Sequence, residues 1–407
     1  VVSQRGAARP EEIRRHNLSL LLREIHRHGE LTRAELTAAL GLNRSTIGAL
    51  VSDLVQLGLV AESVPAGGFR AGRPSHVVAP RPDGPYVLAV EVGVERLITA
   101  AIGIGGIVYA REEHPIEGPQ SRPEAIVARI VSEGTQLIQR LGLGVQPVGV
   151  GVSVPGTVRA RDGFIEHAPN LDWRAIPFAS LLTAAMLRAS PHEPVEVSVG
   201  NDADLGAVAE HQRGAAIGFD HMIYLNGSVG VGAGIIAEGH QLQGAGGYAG
   251  EIGHMTINPD GPACHCGSTG CIETYIGEHA LLRAAGILTT HGTEAVSDLF
   301  CAAEAGDERA AEAVRTVAIW LGRGLANLVN VFNPQAIVVG GTLARVVGID
   351  RATVETELDR RAMAASRSGV QVLLPGLKQD SALFGAAELA FQSLLAAPDA
   401  SLRAVAN

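Results

Sequence analysis

Aromatic residues make up only 4% of this 407-residue sequence, and cysteine occurs four times. At that length and cysteine density a small disulfide-stapled scaffold is excluded, and two to four domains with real hydrophobic cores are expected. No long apolar run survives either. The uncharged stretch from Leu141 to Val158 is broken by Pro147, Pro155 and several glycines, which excludes it as a membrane-spanning helix. An early apolar segment of signal-peptide type is also missing, because Arg5, Arg9, Glu11, Glu12, Arg14 and Arg15 crowd the start. A soluble, cytoplasmic chain with no membrane partner is the expectation. What is plentiful is apolar and small: 46% hydrophobic residues, 50 Gly and 20 Pro beside 18% charged residues, a balance that fits a glycine-rich α/β protein rather than disorder. The net charge of −10 argues against a chain coated in nucleic acid. It is uneven, however: residues 1–85 carry a small excess of arginine over acid, and the remainder is acidic.

In that basic head, Leu18, Leu21, Leu22 and Ile25 recur on one helical face, which predicts a helix over about 11–28 ended by Gly29. Thr32 and Glu35 form a capping-box pair that opens a second helix running to about Leu40. After Gly41-Leu42-Asn43, the apolar face Ile47, Leu50, Val51 and Leu54 predicts a third helix closed by Gly58. Its other face offers Arg44, Ser45, Thr46, Gly48 and Ser52, which are small or hydrogen-bonding groups suited to a DNA major groove. A strand at Leu59-Val60, a turn at 65–68 and a return at His76 to Val78 suggest a wing carrying Arg70 and Arg73, slim enough for a narrow minor groove. The alternative is a helical protein-interaction module with a solvated charged face.

From Tyr86 the pattern changes to α/β. Strands are predicted at Tyr86 to Val92, Leu97 to Ile104 and Gly106 to Ala110, then a helix over about Pro123 to Leu141 and a strand ending in Ser153-Val154-Pro155-Gly156. A strand at Val195 to Val199 leads into a helix opened by Asn201-Asp202. Strands at His221 to Asn226 and Val229 to Ala237, a helix at about Glu308 to Val331 and a strand at Ala336 to Val339 follow. The recurrence of meander then helix suggests two lobes around a cleft.

Three of the four cysteines are crowded into Cys264-His-Cys266-Gly-Ser-Thr-Gly-Cys271, ten residues after His254. Three thiolates and one imidazole suit a tetrahedral, structural Zn²⁺. His254, Cys264, Cys266 and Cys271 are the preferred ligands. His265 is a rival, but between two ligating cysteines it is hard to turn inward with both. Without metal these residues would be core cysteines beside a glycine-rich loop, and Cys301 stands apart as ordinary core.

The Glu251-Ile-Gly-His254 string, the Cys-x-Cys-Gly-x-x-Gly-Cys-x-Glu string ending at Glu273, and the Asn201-Asp202 pair resemble the ROK family of repressors, open reading frames and kinases. The resemblance runs from about residue 85 to the C-terminus. It implies an α/β body of two actin-like, sugar-kinase-like (ribonuclease H-like) lobes, here behind an all-α winged helix-turn-helix domain of the kind that marks the family's transcriptional repressors. The implied domains are 1–82 for DNA binding, 83–200 for the first lobe and 201–407 for the second, with a C-terminal helix returning to the first. The implied sugar pocket comprises Gly156, Asn170, Asn201, Asp202, Glu251, His254 and Glu273. Carboxylates and amides on rigid elements can discriminate sugar epimers by paired hydrogen bonds. For Gly156 and Asn170 ordinary turn chemistry is the competing explanation.

ROK kinases use the Asp of Asn-Asp as base, so Asp202 keeps that element. The phosphate loop departs. Kinases of this superfold turn through an Asp-x-Gly-x-Thr type sequence where this chain has Glu91-Val92-Gly93-Val94-Glu95. Glu95 near a phosphate would cost about 4 kcal/mol at 4 Å and an effective dielectric of ~20. Binding of ATP and Mg²⁺ is therefore doubtful, although the 226–234 glycine-rich loop and Gly340-Gly341 are permissive. The leading expectation is a sugar-responsive, dimeric or tetrameric repressor acting on palindromic operator DNA. An active sugar kinase with an accessory head and a zinc-stapled interaction scaffold are the alternatives.

Overall fold

The computed structural model describes residues 10–64, 76–116, 122–142, 146–190, 195–287 and 293–399. The head contains α1 (Pro10–His28), β1 (Leu31–Thr32), α2 (Arg33–Leu40), α3 (Arg44–Gln56), β2 (Val60–Ser63) and β3 (Val77–Pro80). The apolar stripe of α1 is buried as its spacing predicts. The capping box forms: Thr32 Oγ1 accepts from the Glu35 amide at 3.2 Å, and Glu35 accepts from the Thr32 amide at 2.7 Å. Thr32 is also paired with Val77, so the head is not purely helical but carries a three-stranded sheet in the order β1-β3-β2. A two-residue strand leaves no period to read, which is why the sequence shows only the cap. The wing tip, with Arg70 and Arg73, lies outside the described residues.

The first lobe is built on β4 (Tyr86–Val92), β5 (Arg96–Gly103), β6 (Val108–Pro115), α4 (Pro123–Leu141) and β7 (Val150–Val154). A small antiparallel sheet of β8 (Thr157–Arg159), β9 (Phe164–Ala168) and β10 (Trp173–Ile176) follows, then α5 (Phe178–Ala189) and β11 (Val197–Asn201). The main sheet runs β11-β7-β4-β5-β6, with β4, β5 and β6 an antiparallel meander and β7 parallel to both β4 and β11. β6 starts later than the sequence suggests, because Gly105 and Gly106, at φ 82° and 76°, turn the chain before it can extend.

The second lobe comprises α6 (Asp202–Arg213), β12 (Met222–Gly227), β13 (Val231–Ala237), β14 (His240–Gln241), α7 (Glu273–Ile276), α8 (Glu278–Ala284), α9 (Thr293–Glu304), α10 (Glu308–Phe332), β15 (Ala336–Gly341), α11 (Thr342–Arg361), α12 (Ala364–Arg367) and β16 (Gln371–Leu373). Its sheet order is β14-β13-β12-β15-β16. The last helix, α13 (Ser381–Ala396), leaves this lobe and packs on β4, β7 and α6. One apolar cluster therefore joins Leu21, Ile25 and Ile47 of the head to Val87 and Ala89 of β4 and to Phe391 and Leu394 of α13. The opposite face of the first-lobe sheet has its own core, including Leu88, Val90 and Ile130. Among the described residues no helix is long and apolar enough to cross a membrane.

Candidate functional site

β7 and β11 run in parallel and end side by side, which brings the turn after Val154 against the start of α6. Asn201 is the hinge of this arrangement. Its side-chain oxygen caps α6, accepting from the amides of Ala203 at 2.9 Å and Asp204 at 3.0 Å, and its Nδ2 donates to the Gly156 carbonyl at 2.9 Å. Gly156 has no space for a side chain, since a Cβ would lie 2.6 Å from the His167 carbonyl oxygen. Between these elements and the second-lobe hairpin lies a cleft of about 540 Å³. Gly156, Asn170, Asn201, Asp202, Glu251, His254 and Glu273 all line it.

The carboxylates are held differently. Glu273 accepts from the Val231 amide at 2.9 Å, and its other oxygen lies 3.1 Å from His265 Nδ1. Glu251 accepts from Thr157 Oγ1 at 3.4 Å and is otherwise exposed to the cleft. Loss of hydration pushes Asp202 up to about 6, with the Ala203 amide opposing the shift and Glu251 adding to it. The same cause lifts Asp204 to about 7, although Gln241 acts against it. Burial also lifts Glu91 to about 7 despite Arg96, and Asp202 and Asp380 reinforce that rise. Cleft residues that the sequence does not single out are Thr157, His167, Arg174 and Tyr248. His167 and Arg174 are cross-strand partners in β9 and β10, strands of five and four residues that are too short to announce a face. Tyr248 carried a usable signal, as the one aromatic in the glycine-rich run 243–250.

On one wall, His254, Cys264, Cys266 and Cys271 bring their ligand atoms within 4.8 Å of one another, a cluster that could hold a metal ion. Cys264 Sγ lies 3.6 Å from His254 Nδ1, and Cys266 Sγ lies 3.7 Å from Cys271 Sγ. Two isolated bridges, Thr256 with Cys271 and Ala263 with Thr269, fold the loop onto itself and bring the distant pieces together. His265 stands across from His254, their rings edge to face at 5.3 Å, and forms with His254 and Glu273 a second group of ligand type. Burial raises the Cys264 and Cys271 thiols. Cys301 is exposed, not core as the sequence suggests: its place on α9 turns outward.

Glu91 to Glu95 fall at the end of β4 and the turn to β5. Arg96 donates to Glu91 at 3.4 Å. Glu95 is close enough to Glu278, at the start of α8, to help burial raise the latter's carboxyl. In the head, Arg44, Ser45 and Ser52 are exposed and Thr46 is half-buried. Ser45 donates to the Asn43 cap at 2.7 Å and Ser52 donates to the Gly48 carbonyl at 3.0 Å, so both hydroxyls face solvent chiefly as acceptors.

Residues 87–393 match the model of the ROK family, and residues 19–68 match that of the MarR family. The chain belongs to the ROK family. Its N-terminal part is a MarR-type winged helix-turn-helix domain, and its body has the sugar-kinase-like actin fold. The xylose repressor of Bacillus subtilis (strain 168) is 29% identical over 388 residues, covering 94% of this chain and 97% of the relative. A glucokinase of Halalkalibacterium halodurans is 33% identical over 252 residues but covers only 58% of this chain and 74% of its own length. A solved ROK family transcriptional regulator, a homolog of the E. coli MLC protein, superposes with a TM-score of 0.77 at 23% identity, covering 97% of this chain and 99% of the other. At that identity the likeness speaks for the fold, head included. The kinase matches the ROK body, whereas the repressor matches body and head together.

Proposed function

We propose that this ROK protein is a sugar-responsive, DNA-binding transcriptional repressor, soluble and cytoplasmic, whose kinase machinery has decayed. The observation that carries this reading is the cleft at the start of α6, where amides and carboxylates suited to sugar hydroxyls converge in a chain that also bears an exposed recognition helix. Gly156, Asn170, Asn201, Asp202, Glu251, His254 and Glu273 hold the sugar. Arg44, Ser45, Thr46 and Ser52 read the major groove, and Arg70 and Arg73 of the wing enter the minor groove. Residues 1–82, 83–200 and 201–407 act as head and two lobes, with α13 returning to the first. Closure of the lobes on a sugar changes the placement of paired heads in a homodimer or homotetramer. Two recognition helices fit a palindromic operator only at a separation of about 34 Å or a multiple, so a modest rotation weakens binding.

The cluster of His254, Cys264, Cys266 and Cys271 fits zinc by donor type, three soft sulfurs and one borderline nitrogen. When bound, zinc supplies a structural staple, since four protein ligands leave no position for a reacting water. His254 turns Nδ1 toward Cys264 and so keeps Nε2 for a sugar hydroxyl.

Asp202 favours a second reading, an active ROK sugar kinase, because its raised carboxyl at the cleft suits a general base. The charge of Glu95 at the turn from β4 to β5 argues against an anionic nucleotide there. A coupled assay with D-xylose, D-glucose and N-acetylglucosamine decides: no sugar-dependent ATP turnover is expected, and turnover abolished by Asp202→Asn would favour the kinase. Sugar-sensitive, salt-dependent binding to a palindromic duplex is the positive test.

A further inference from the structure

The junction between head and body is polar at its centre. Glu388 of α13 accepts from Arg213 Nε, the last residue of α6, and lies 3.1 Å from Nε2 of His26 near the end of α1. The three side chains are only 8%, 4% and 2% exposed in the order Arg213, Glu388, His26. His26 Nδ1 accepts from the Gly105 amide at 3.2 Å, so the proton sits on Nε2, directed at the carboxylate. Beside it, Arg27 donates to the carbonyl of His211, also on α6, at 3.4 Å. The ring of His26 meets Phe391 edge to face at 4.9 Å. α1 therefore meets the C-terminal end of α6 through Glu388 of α13 and the Arg27 bond.

The other end of α6 is the cleft. Asn201 caps it, and Asp202 lines the cleft. A helix of 12 residues spans about 18 Å, and packing on α13, β13 and β12 braces this one along its length. Buried Glu210 accepts from Gly376, Leu377, Ala215 and Ser381, which ties α6 to the loop before α13 and to the first residue of α13. Such a helix moves as a body. Two guanidinium donors at the junction, Arg213 Nη2 and Arg27 Nε, are buried with no acceptor among the described residues. Buried donors are normally paired, so the contact is incompletely satisfied in this arrangement.

We infer that Arg213 is a positioning residue: through Glu388 and His26 it passes the ligand state of the cleft to the DNA-binding head, with α6 as the rod between them. The inference rests on the function proposed above and adds its route. Apolar contacts between head and body, such as Ile25 against Phe391 and Leu394 in their shared cluster, hold the head on. The charged contact decides its orientation, because hydrogen bonds fix direction where apolar packing does not.

The test uses the full chain and a duplex selected from a random library by the wild-type protein. Duplex affinity is measured without sugar and with saturating D-xylose, D-glucose or N-acetylglucosamine, and sugar affinity is measured by calorimetry. Three variants are compared: Arg213→Lys; the double variant Arg213→Gln with Glu388→Gln, which strands no buried charge; and His26→Gln, which leaves the Arg213 to Glu388 pair intact. A sugar effect on duplex binding of about tenfold in the wild type should fall below about threefold in the double variant and in His26→Gln, with Arg213→Lys between. Sugar affinity in the absence of duplex should stay within about threefold of wild type. If the double variant misfolds, His26→Gln carries the comparison. Undiminished coupling in the folded variants overturns this inference alone. A wild-type chain on which none of the three sugars changes duplex binding overturns the functional reading and this inference together.

Discussion

Gly156 is decided by space. A side chain there would strike the His167 carbonyl, and relief would move either β9 or the loop whose carbonyl holds Asn201. Overpacking of that kind costs about 1–3 kcal/mol, so Gly156→Ala should weaken sugar binding by roughly tenfold or more, read by calorimetry. Asp202 is decided by charge. Its carboxyl is raised to about 6 from an ordinary 3.8, so the native state binds a proton more readily than the unfolded chain does. The charged form consequently lowers stability above that range, and the deficit disappears as pH falls through it. Asp202→Asn should therefore raise Tm at pH 7.5 and leave it nearly unchanged at pH 3.5. An equal gain at both values would show that its ionisation has no part in stability.

At the scale of elements, local signals were the legible ones. The Thr32 and Glu35 box, the Asn201-Asp202 opening of α6 and the cysteine run all depend on residues close in sequence, and their spacing carries the geometry. The returning α13 was readable only through resemblance, and the bond from His26 to Glu388 was not readable at all, because 362 residues separate them. β8, β9 and β10 were missed since three to five residues hold too little alternation. Two predictions belong here. Asn201→Ala removes a cap that satisfies two amides, and a loss of about 1 kcal/mol is expected in urea unfolding. Cys271→Ser, or chelation, should release about one zinc per chain and lower Tm. Purified protein with no bound metal and a Tm indifferent to chelators would mean that the cysteine loop folds without metal.

At the scale of the molecule, three bodies share two helices. α13 completes the face of the first lobe and carries the head, and α6 joins the cleft to the same junction. The body alone resembles kinases, and the body with its head matches a repressor along almost its whole length. In the function proposed above, a sugar that closes the cleft would act on the same assembly that carries α3. Arg44→Ala should reduce specific duplex affinity by about 1–3 kcal/mol and relax sequence preference if it reads a base edge; equal losses on every duplex would make it a phosphate contact. The central claim is a linkage, and linkage is reciprocal. The direct measurement is sugar affinity with and without saturating operator duplex, set beside duplex affinity with and without saturating sugar. The account predicts that both ratios exceed about fivefold and agree. Both ratios at unity, with each ligand still bound, would contradict it.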